Sequence, residues 1–295
     1  MGREIGRIRP VRISAMKTPK RIQALVDEGL VDEVIRQLMS GKEATVYMVR
    51  CGEEIRCAKV YKDANKRSFR NNTSYQEGRK VKNSRQTRAM EKGSRYGRQM
   101  QEEAWQSAEV DALYRLAGAG VRVPQPYICH EGVLLMDLVT DADGNPAPRL
   151  NDTELSEEQA LEFHADLINQ VVRMLCAGII HGDLSEYNIL VGSDGPVIID
   201  LPQAVDAAGN SNGGLMLERD VANLASYFGR FAAHLGASQY GKEIWRLYQT
   251  GRLTPDSELT GRSEIEHRIA DVGAVLEEVK LALQEEERRR LYQTG

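Results

Sequence analysis

Apolar and polar positions along this chain fall into short periods whose character changes from one end to the other. From Thr18, the apolar residues Ile22, Leu25 and Val26 share one helical face, and Gly29 stops the run. Leu30 to Arg50 alternates as strands do, interrupted at Ser40-Gly41-Lys42-Glu43-Ala44, and a turn at Cys51-Gly52-Glu53-Glu54 leads into a strand from Ile55 to Tyr61. Helical spacing returns from Gln101 to Leu116, with Trp105, Glu109, Ala112, Leu113 and Leu116 on one side and an expected end before Gly118. Pro124 and Pro126 break the chain, and Gly132 to Val139 reads as a buried strand running into a polar loop, as a linker between two lobes would.

The remainder is mainly helical. Ser156-Glu157-Glu158-Gln159 is a capping box opening a long helix whose stripe is Leu161, Ala165, Ile168, Val172 and Leu175, closed by Gly178. Two apolar runs, Ile189-Leu190-Val191 and Val197-Ile198-Ile199, flank Gly192-Ser193-Asp194-Gly195-Pro196 and signal a hairpin. A small-residue loop from Ala207 to Gly214 precedes a helical stretch from Leu217 to Leu235. A second capping box, Ser263-Glu264-Ile265-Glu266, predicts a last helix carrying Ile269, Val272, Leu276, Val279 and Leu283. The hexapeptide Arg-Leu-Tyr-Gln-Thr-Gly occurs at Arg246 to Gly251 and again at Arg290 to Gly295, and nothing in the pattern explains the repetition.

Composition narrows the class. A length of 295 residues with 41% hydrophobic side chains allows one or two domains with a buried core. No apolar run of membrane-spanning length appears, and Met1 to Arg7 lacks the apolar stretch of a signal peptide, so a soluble, cytoplasmic protein without a membrane partner is expected. Cys51, Cys57, Cys129 and Cys176 show no metal-binding spacing and are expected to be free thiols. The net charge of -4 conceals an asymmetry, because Lys62 to Arg98 holds twelve Lys or Arg against Asp63, Glu77 and Glu91. Such a run, with Phe69, Tyr75 and Tyr96 interleaved, reads either as a solvated segment or as a contact for RNA phosphates.

The chemistry concentrates in His181-Gly182-Asp183-Leu184-Ser185-Glu186-Tyr187-Asn188 and Asp200. Pairing the two hairpin runs returns Asp200 close to Asn188, and an amide oxygen beside a carboxylate suits Mg²⁺ carrying substrate phosphates. Asp183 is then placed to take or orient a hydroxyl proton. The loop beginning Ser40-Gly41-Lys42 can cap a triphosphate through backbone N–H groups, a hydroxyl and a lysine, although it is neither GxGxxG nor a Walker A motif and, taken alone, reads first as a plain hairpin turn. Lys59 lies in an apolar strand and must snorkel or find a partner. Glu109, the acid on an apolar helical stripe, is the partner that resolves both awkward charges together. Extended backbone at Asp137 to Val139 can hydrogen-bond an adenine edge with Met136 against the ring, or is an ordinary strand end.

Taken together, Ser40 to Tyr47, Lys59, His181 to Asn188 and Ile199-Asp200-Leu201-Pro202-Gln203-Ala204-Val205 resemble the RIO atypical serine/threonine protein kinases, in the branch typified by the first RIO kinase and in its short bacterial form. The resemblance spans about Gly29 to Phe228. It implies an α+β, two-lobed, protein-kinase-like fold, with an antiparallel N-lobe sheet carrying one main helix and a mainly helical C-lobe. The corresponding division is a basic arm and short helix (1–28), an N-lobe with the basic segment and hinge (29–139), a C-lobe with catalytic and metal loops (140–240), and C-terminal helices (241–295). It implies ATP with Mg²⁺ or Mn²⁺, Asp183 as the catalytic aspartate and Asn188 and Asp200 as metal ligands. It further implies contacts to the nucleotide from Ser40, Gly41, Lys42 and Lys59, a Glu109 to Lys59 pair, and hinge contacts from Asp137 and Val139. Asp220 would brace the catalytic loop, and Asp200 is a candidate acyl-phosphate site.

Two departures from ordinary protein kinases bear on the substrate, expected to be a protein or the kinase itself. Gly182 stands where those enzymes place an arginine after the catalytic histidine, and Ser185 where a lysine neutralises the γ-phosphate. Two alternatives therefore accompany the kinase reading: an ATPase switch in ribosome assembly, with 62–98 on RNA or a ribosomal particle, and a small-molecule kinase, since an HGD…N loop also occurs there.

Overall fold

The computed structural model describes residues 17–62 and 108–262. Helix α1 (Lys20–Asp27) is followed by strands β1 (Glu33–Ser40), β2 (Ala44–Cys51) and β3 (Glu54–Tyr61). A helix across 108–118, here α2, precedes β4 (Pro126–His130) and β5 (Val133–Asp137). These strands form one antiparallel sheet in the order β1-β2-β3-β5-β4. Strand periodicity assigns its two faces. Ala58 and Val60 of β3, with Val133 and Leu135 of β5, pack on Ile22 and Leu25 of α1. Tyr61 and Leu134 point to the other side, toward Ala112, Leu113 and Leu116 of α2. Lys59 shares parity with Tyr61, so the sheet itself aims it at α2 and the cleft below.

The C-lobe is built on α3 (Glu157–Cys176), short strands β6 (Ile179–Ile180) and β9 (Val205–Asp206), the hairpin β7 (Ile189–Gly192) and β8 (Gly195–Ile198), then α4 (Gly213–Phe228) and α5 (Tyr240–Gln249). Both halves of the capping box at Ser156 and Gln159 are formed. Helix α3 runs through a core of Leu167, Val171, Leu175, Leu184, Ile189, Leu224 and Phe228, so its end, which leads into Ile179-Ile180-His181, is held by that packing. This is the two-lobed kinase-like arrangement implied by the resemblance.

Several local expectations shift. The α2 helix continues through Gly118 and turns at Gly120, whose φ of +72° is left-handed, so the stop lies two residues beyond the first glycine. Pro126 opens a strand instead of breaking one; β4 is the sheet's edge, where a missing N–H at the first position costs no ladder bond. On α3, Leu161 and Ala165 are exposed and Ala160 and His164 are buried, because the first turns face α5 and the end of α4: His164 meets the rings of Phe228 and Tyr240 at 5.6 and 5.5 Å. The β7–β8 turn is tighter than a five-residue loop, since Gly192 pairs with Gly195. The helix expected to reach Leu235 starts at Gly213 and ends at Phe228. A side chain at Gly229, its C-cap, would lie 2.9 Å from the Ala225 carbonyl and 3.0 Å from Gly236, so a close backbone approach requires glycine there. The N-terminal arm, the basic segment with Phe69, Tyr75 and Tyr96, Trp105, the last capping-box helix and the second hexapeptide lie outside the described residues. Among the described residues, no helix is long and apolar enough to cross a membrane.

Candidate active site

Lys59 and Glu109 meet under the sheet, Nζ to Oε1 at 2.6 Å, with both residues buried. The second oxygen of Glu109 accepts from the Tyr61 hydroxyl at 2.7 Å, and Tyr61 is 1% exposed. Each oxygen of this buried carboxylate therefore has a donor, which is the condition under which an acid on an apolar face is tolerated. Lys59 also reaches Asp200 Oδ1 at 2.9 Å, joining the two lobes. Burial by itself lowers the lysine pKa, but Glu109 and Asp200 more than reverse that and hold it above the ordinary lysine value. For Asp200, burial pushes the carboxyl up, and the Lys59 ammonium, through its charge and its hydrogen bond, outweighs it, leaving the pKa below the usual carboxylate value. Tyr61 is raised, first by burial and then by Glu109, so its hydroxyl stays a donor.

The loop from His181 to Asn188 is fixed by a closed ring of hydrogen bonds. His181 Nε2 lies 3.1 Å from the Ile199 carbonyl, which can only accept, so the ring hydrogen is assigned to Nε2 and Nδ1 accepts from the Asp183 N–H at 3.3 Å. The Asp183 carbonyl accepts from Asn188 Nδ2 at 2.8 Å, and the Asn188 carbonyl accepts from the Ile199 N–H at 3.0 Å. Because Nδ2 is committed, Asn188 has its Oδ1 left for a cation. Asp200 follows Ile199 with φ +65°, an uncommon conformation for a residue other than glycine.

Asp220 on α4 supports this loop from beneath. Its carboxylate accepts from the Gly182 N–H at 2.7 Å and the Leu184 N–H at 3.2 Å and is 1% exposed. Burial dominates over these donors and raises its pKa to about 6. Gly182 has φ +80°, which a side chain at that position would strain, and its carbonyl accepts from Arg219. The Asp183 carboxylate itself faces solvent.

The remaining candidates line the cleft's upper rim. Ser40 Oγ contacts Thr45 Oγ1 at 3.2 Å, and the Gly41 N–H bonds the Ala44 carbonyl at 2.9 Å, so the loop is a tight hairpin connection. Lys42 is exposed; it is Lys62 whose ammonium turns back onto Ser40 Oγ, at 3.2 Å, and the Gly41 carbonyl. Met136 is half-buried, the Asp137 N–H is taken by the Gln125 carbonyl at 3.0 Å, and the Val139 carbonyl accepts from the Ala147 N–H at 2.9 Å. The Asp137 carboxylate accepts from the Tyr127 hydroxyl. Among the described residues, no cluster of three or more His, Cys, Asp or Glu stands ready to hold a metal. An ion at Asn188 and Asp200 would draw its other ligands from phosphate oxygens and water, as is usual for Mg²⁺.

The family profile of the RIO domain matches residues 45–240, which takes in Lys59, Glu109, the catalytic loop, Asp200 and Asp220. The chain belongs to the RIO family. The RIO-type serine/threonine-protein kinase Rio1 of Haloferax volcanii is 35% identical over 214 residues, covering 72% of this chain and 69% of that protein. The corresponding protein of Methanocaldococcus jannaschii is 33% identical over 67% of this chain and 63% of its own length. Human serine/threonine-protein kinase RIO1 is 31% identical over 79% of this chain, but the match takes in only 39% of the human protein. This RIO protein is thus a kinase of the branch expected from its motifs.

Three residues of this RIO site are not evident from the sequence. Tyr61 reads there as a core aromatic, although its i+2 spacing from Lys59 places both on one strand face. Lys62 reads as the first residue of the basic run. Arg149, in Ala147-Pro148-Arg149-Leu150, carries no motif at all.

Proposed function

We propose that this RIO kinase transfers the γ-phosphate of ATP to a serine or threonine hydroxyl of a protein substrate or of itself, with Mg²⁺ or Mn²⁺ as the required ion. The observation that carries the reading is the buried Lys59 bridging Glu109 and Asp200 beside the hydrogen-bonded ring that sets Asp183 and Asn188. In this assignment Lys59 binds the α- and β-phosphates, Asp183 receives or orients the hydroxyl proton, and Asn188 Oδ1 and Asp200 hold the ion. When bound, the ion neutralises charge on the phosphate oxygens. Ser40, Gly41 and Lys42 cap the phosphates, the Asp137 carbonyl and Val139 N–H meet the adenine edge, and Met136 packs on the ring. A cytoplasmic location goes with these roles.

A second reading is favoured by Gly182 and Ser185, which remove two cations that ordinary protein kinases use. In it, the protein hydrolyses ATP through an aspartyl-phosphate at Asp200 and works as a switch in ribosome assembly, with the basic stretch 62–98 against RNA phosphates. Incubation with γ-labelled ATP separates the two. Label on added protein or on Ser and Thr of the chain supports the kinase; free phosphate as the main product supports the switch; no Mg²⁺-dependent label in any fraction sinks both.

A further inference from the structure

We propose that Arg149 is a catalytic cation of this site, gripping the terminal phosphate of the nucleotide where ordinary protein kinases use the lysine that Ser185 replaces. The proposal rests on the ATP reading above and adds to it a residue that no motif assigns.

The backbone of Arg149 is anchored on the metal hairpin. It forms an isolated bridge with Leu190, two residues after Asn188, and the preceding carbonyl, of Pro148, accepts the Val191 N–H at 2.8 Å. The next residue, Leu150, is fully buried, and its carbonyl accepts the Tyr227 hydroxyl at 2.8 Å. The base of the arginine therefore has little freedom. Its side chain crosses the cleft to the other lobe, where Nη2 lies 2.7 Å from the sulfur of Met39, the residue immediately before Ser40. The guanidinium thus spans from the strand that follows Asn188 to the start of the phosphate loop, and a terminal phosphate held between those two elements lies in its path.

What it touches there is a poor partner. A thioether is a weak acceptor, and a guanidinium presents five donors matched to carboxylate or phosphate oxygens. Among the described residues, Met39 is its only side-chain hydrogen-bond partner. Among the described residues, three other cations of the cleft are committed, Lys59 to Glu109 and Asp200, Lys62 to Ser40 and Gly41, and Arg219 to the Gly182 carbonyl, while Lys42 at the rim is exposed. Arg149 is the half-buried cation whose partner is cheap to give up. Exchange of a sulfur contact for γ-phosphate oxygens would complete the charge neutralisation that a serine at position 185 cannot supply.

The test compares MgATP and MgADP binding by calorimetry for the wild-type protein, Arg149→Met and Arg149→Lys, with single-turnover rates on the same samples. A γ-phosphate contact predicts that Arg149→Met weakens ATP about tenfold to a hundredfold, changes ADP less than about twofold, and slows turnover by about a hundredfold, with Arg149→Lys recovering part of each. Equal loss of ATP and ADP affinity, or an unchanged ATP-to-ADP ratio, overturns the inference and leaves Arg149 as a brace between the lobes. Failure of the wild-type protein to bind either nucleotide is a different outcome: it overturns the ATP reading itself, and this inference with it.

Discussion

Tyr61→Phe removes one oxygen from the buried centre of this protein and nothing else. The hydroxyl donates to Glu109 Oε2 at 2.7 Å, and the two residues are 1% and 2% exposed, so water has no route to replace it. Lys59 stays on Oε1 at 2.6 Å, and the carboxylate keeps its charge while losing one of its two donors. A hydrogen bond to a charged group contributes about 1.5–3 kcal/mol, and an acceptor left buried and unsatisfied puts the cost toward the middle of that range, about 2 kcal/mol. Urea unfolding at neutral pH reads this directly as a lower midpoint at constant slope. The shared carboxylate makes a sharper claim, because Lys59 and Tyr61 act on the same group. A double-mutant cycle with Lys59→Met should give a coupling between them of about 0.5–3 kcal/mol. A loss under about 0.5 kcal/mol for Tyr61→Phe, or a coupling indistinguishable from zero, would refute the idea that Tyr61 and Lys59 jointly satisfy Glu109. Because Glu109 orients Lys59, the same variant should also raise the KM for ATP several-fold.

Asp183→Ala should abolish phosphoryl transfer with MgATP affinity within a few-fold of wild type, as measured by calorimetry; retained turnover removes Asp183 from its role. Asp220 gives a pH signature. Its folded pKa of about 6 lies above the ordinary carboxylate value of 3.8, so the folded state binds its proton more tightly than the unfolded state. Stability relative to Asp220→Asn, which does not titrate, should therefore be highest below about pH 4 and fall as pH rises to about 6, by up to about 3 kcal/mol. A wild-type-minus-variant difference that is flat from about pH 4 to about pH 7 contradicts the burial argument. If Asp200 carries phosphate during turnover, label from γ-labelled ATP should be released by hydroxylamine, and a hydroxylamine-stable label assigns it to Ser or Thr. For the basic stretch, removal of 62–98 should make the salt slope of RNA binding shallower, by about 0.7 for each single-strand phosphate that is no longer neutralised; unchanged slopes exclude it.

Much of the site is legible in contiguous residues because its chemistry depends on them. The ring joining His181, Asp183, Asn188 and Ile199 closes over one hairpin, so its members are near in sequence and the spacing alone brings Asp200 back beside Asn188. Lys59 and Glu109 are 50 residues apart, yet the period of its own element places each, and a buried lysine and a buried acid leave few other solutions. Period also misleads. An apolar stripe on α3 passes through Leu161 and Ala165, whereas burial follows what packs alongside, which sequence does not carry. Pro126 reads as a break because its tolerance depends on being at a sheet edge, a fact of strand order.

By itself, the sequence determined the strands around Lys59, the long helix α3 and the β7–β8 hairpin, the chemical types at Lys59, Asp183, Asn188 and Asp200, and the family to which they point. Local periodicity and short-range spacing act through the nearest few residues, and those are written in the chain. Only the tertiary structure decided that Tyr61 shares the carboxylate of Glu109, that Lys62 turns back on Ser40, and that Arg149 crosses the cleft to Met39, 110 residues away. Those side chains carry no motif because their roles arise from surfaces that meet only when distant elements pack on each other, and long-range packing of that kind leaves no local period to read.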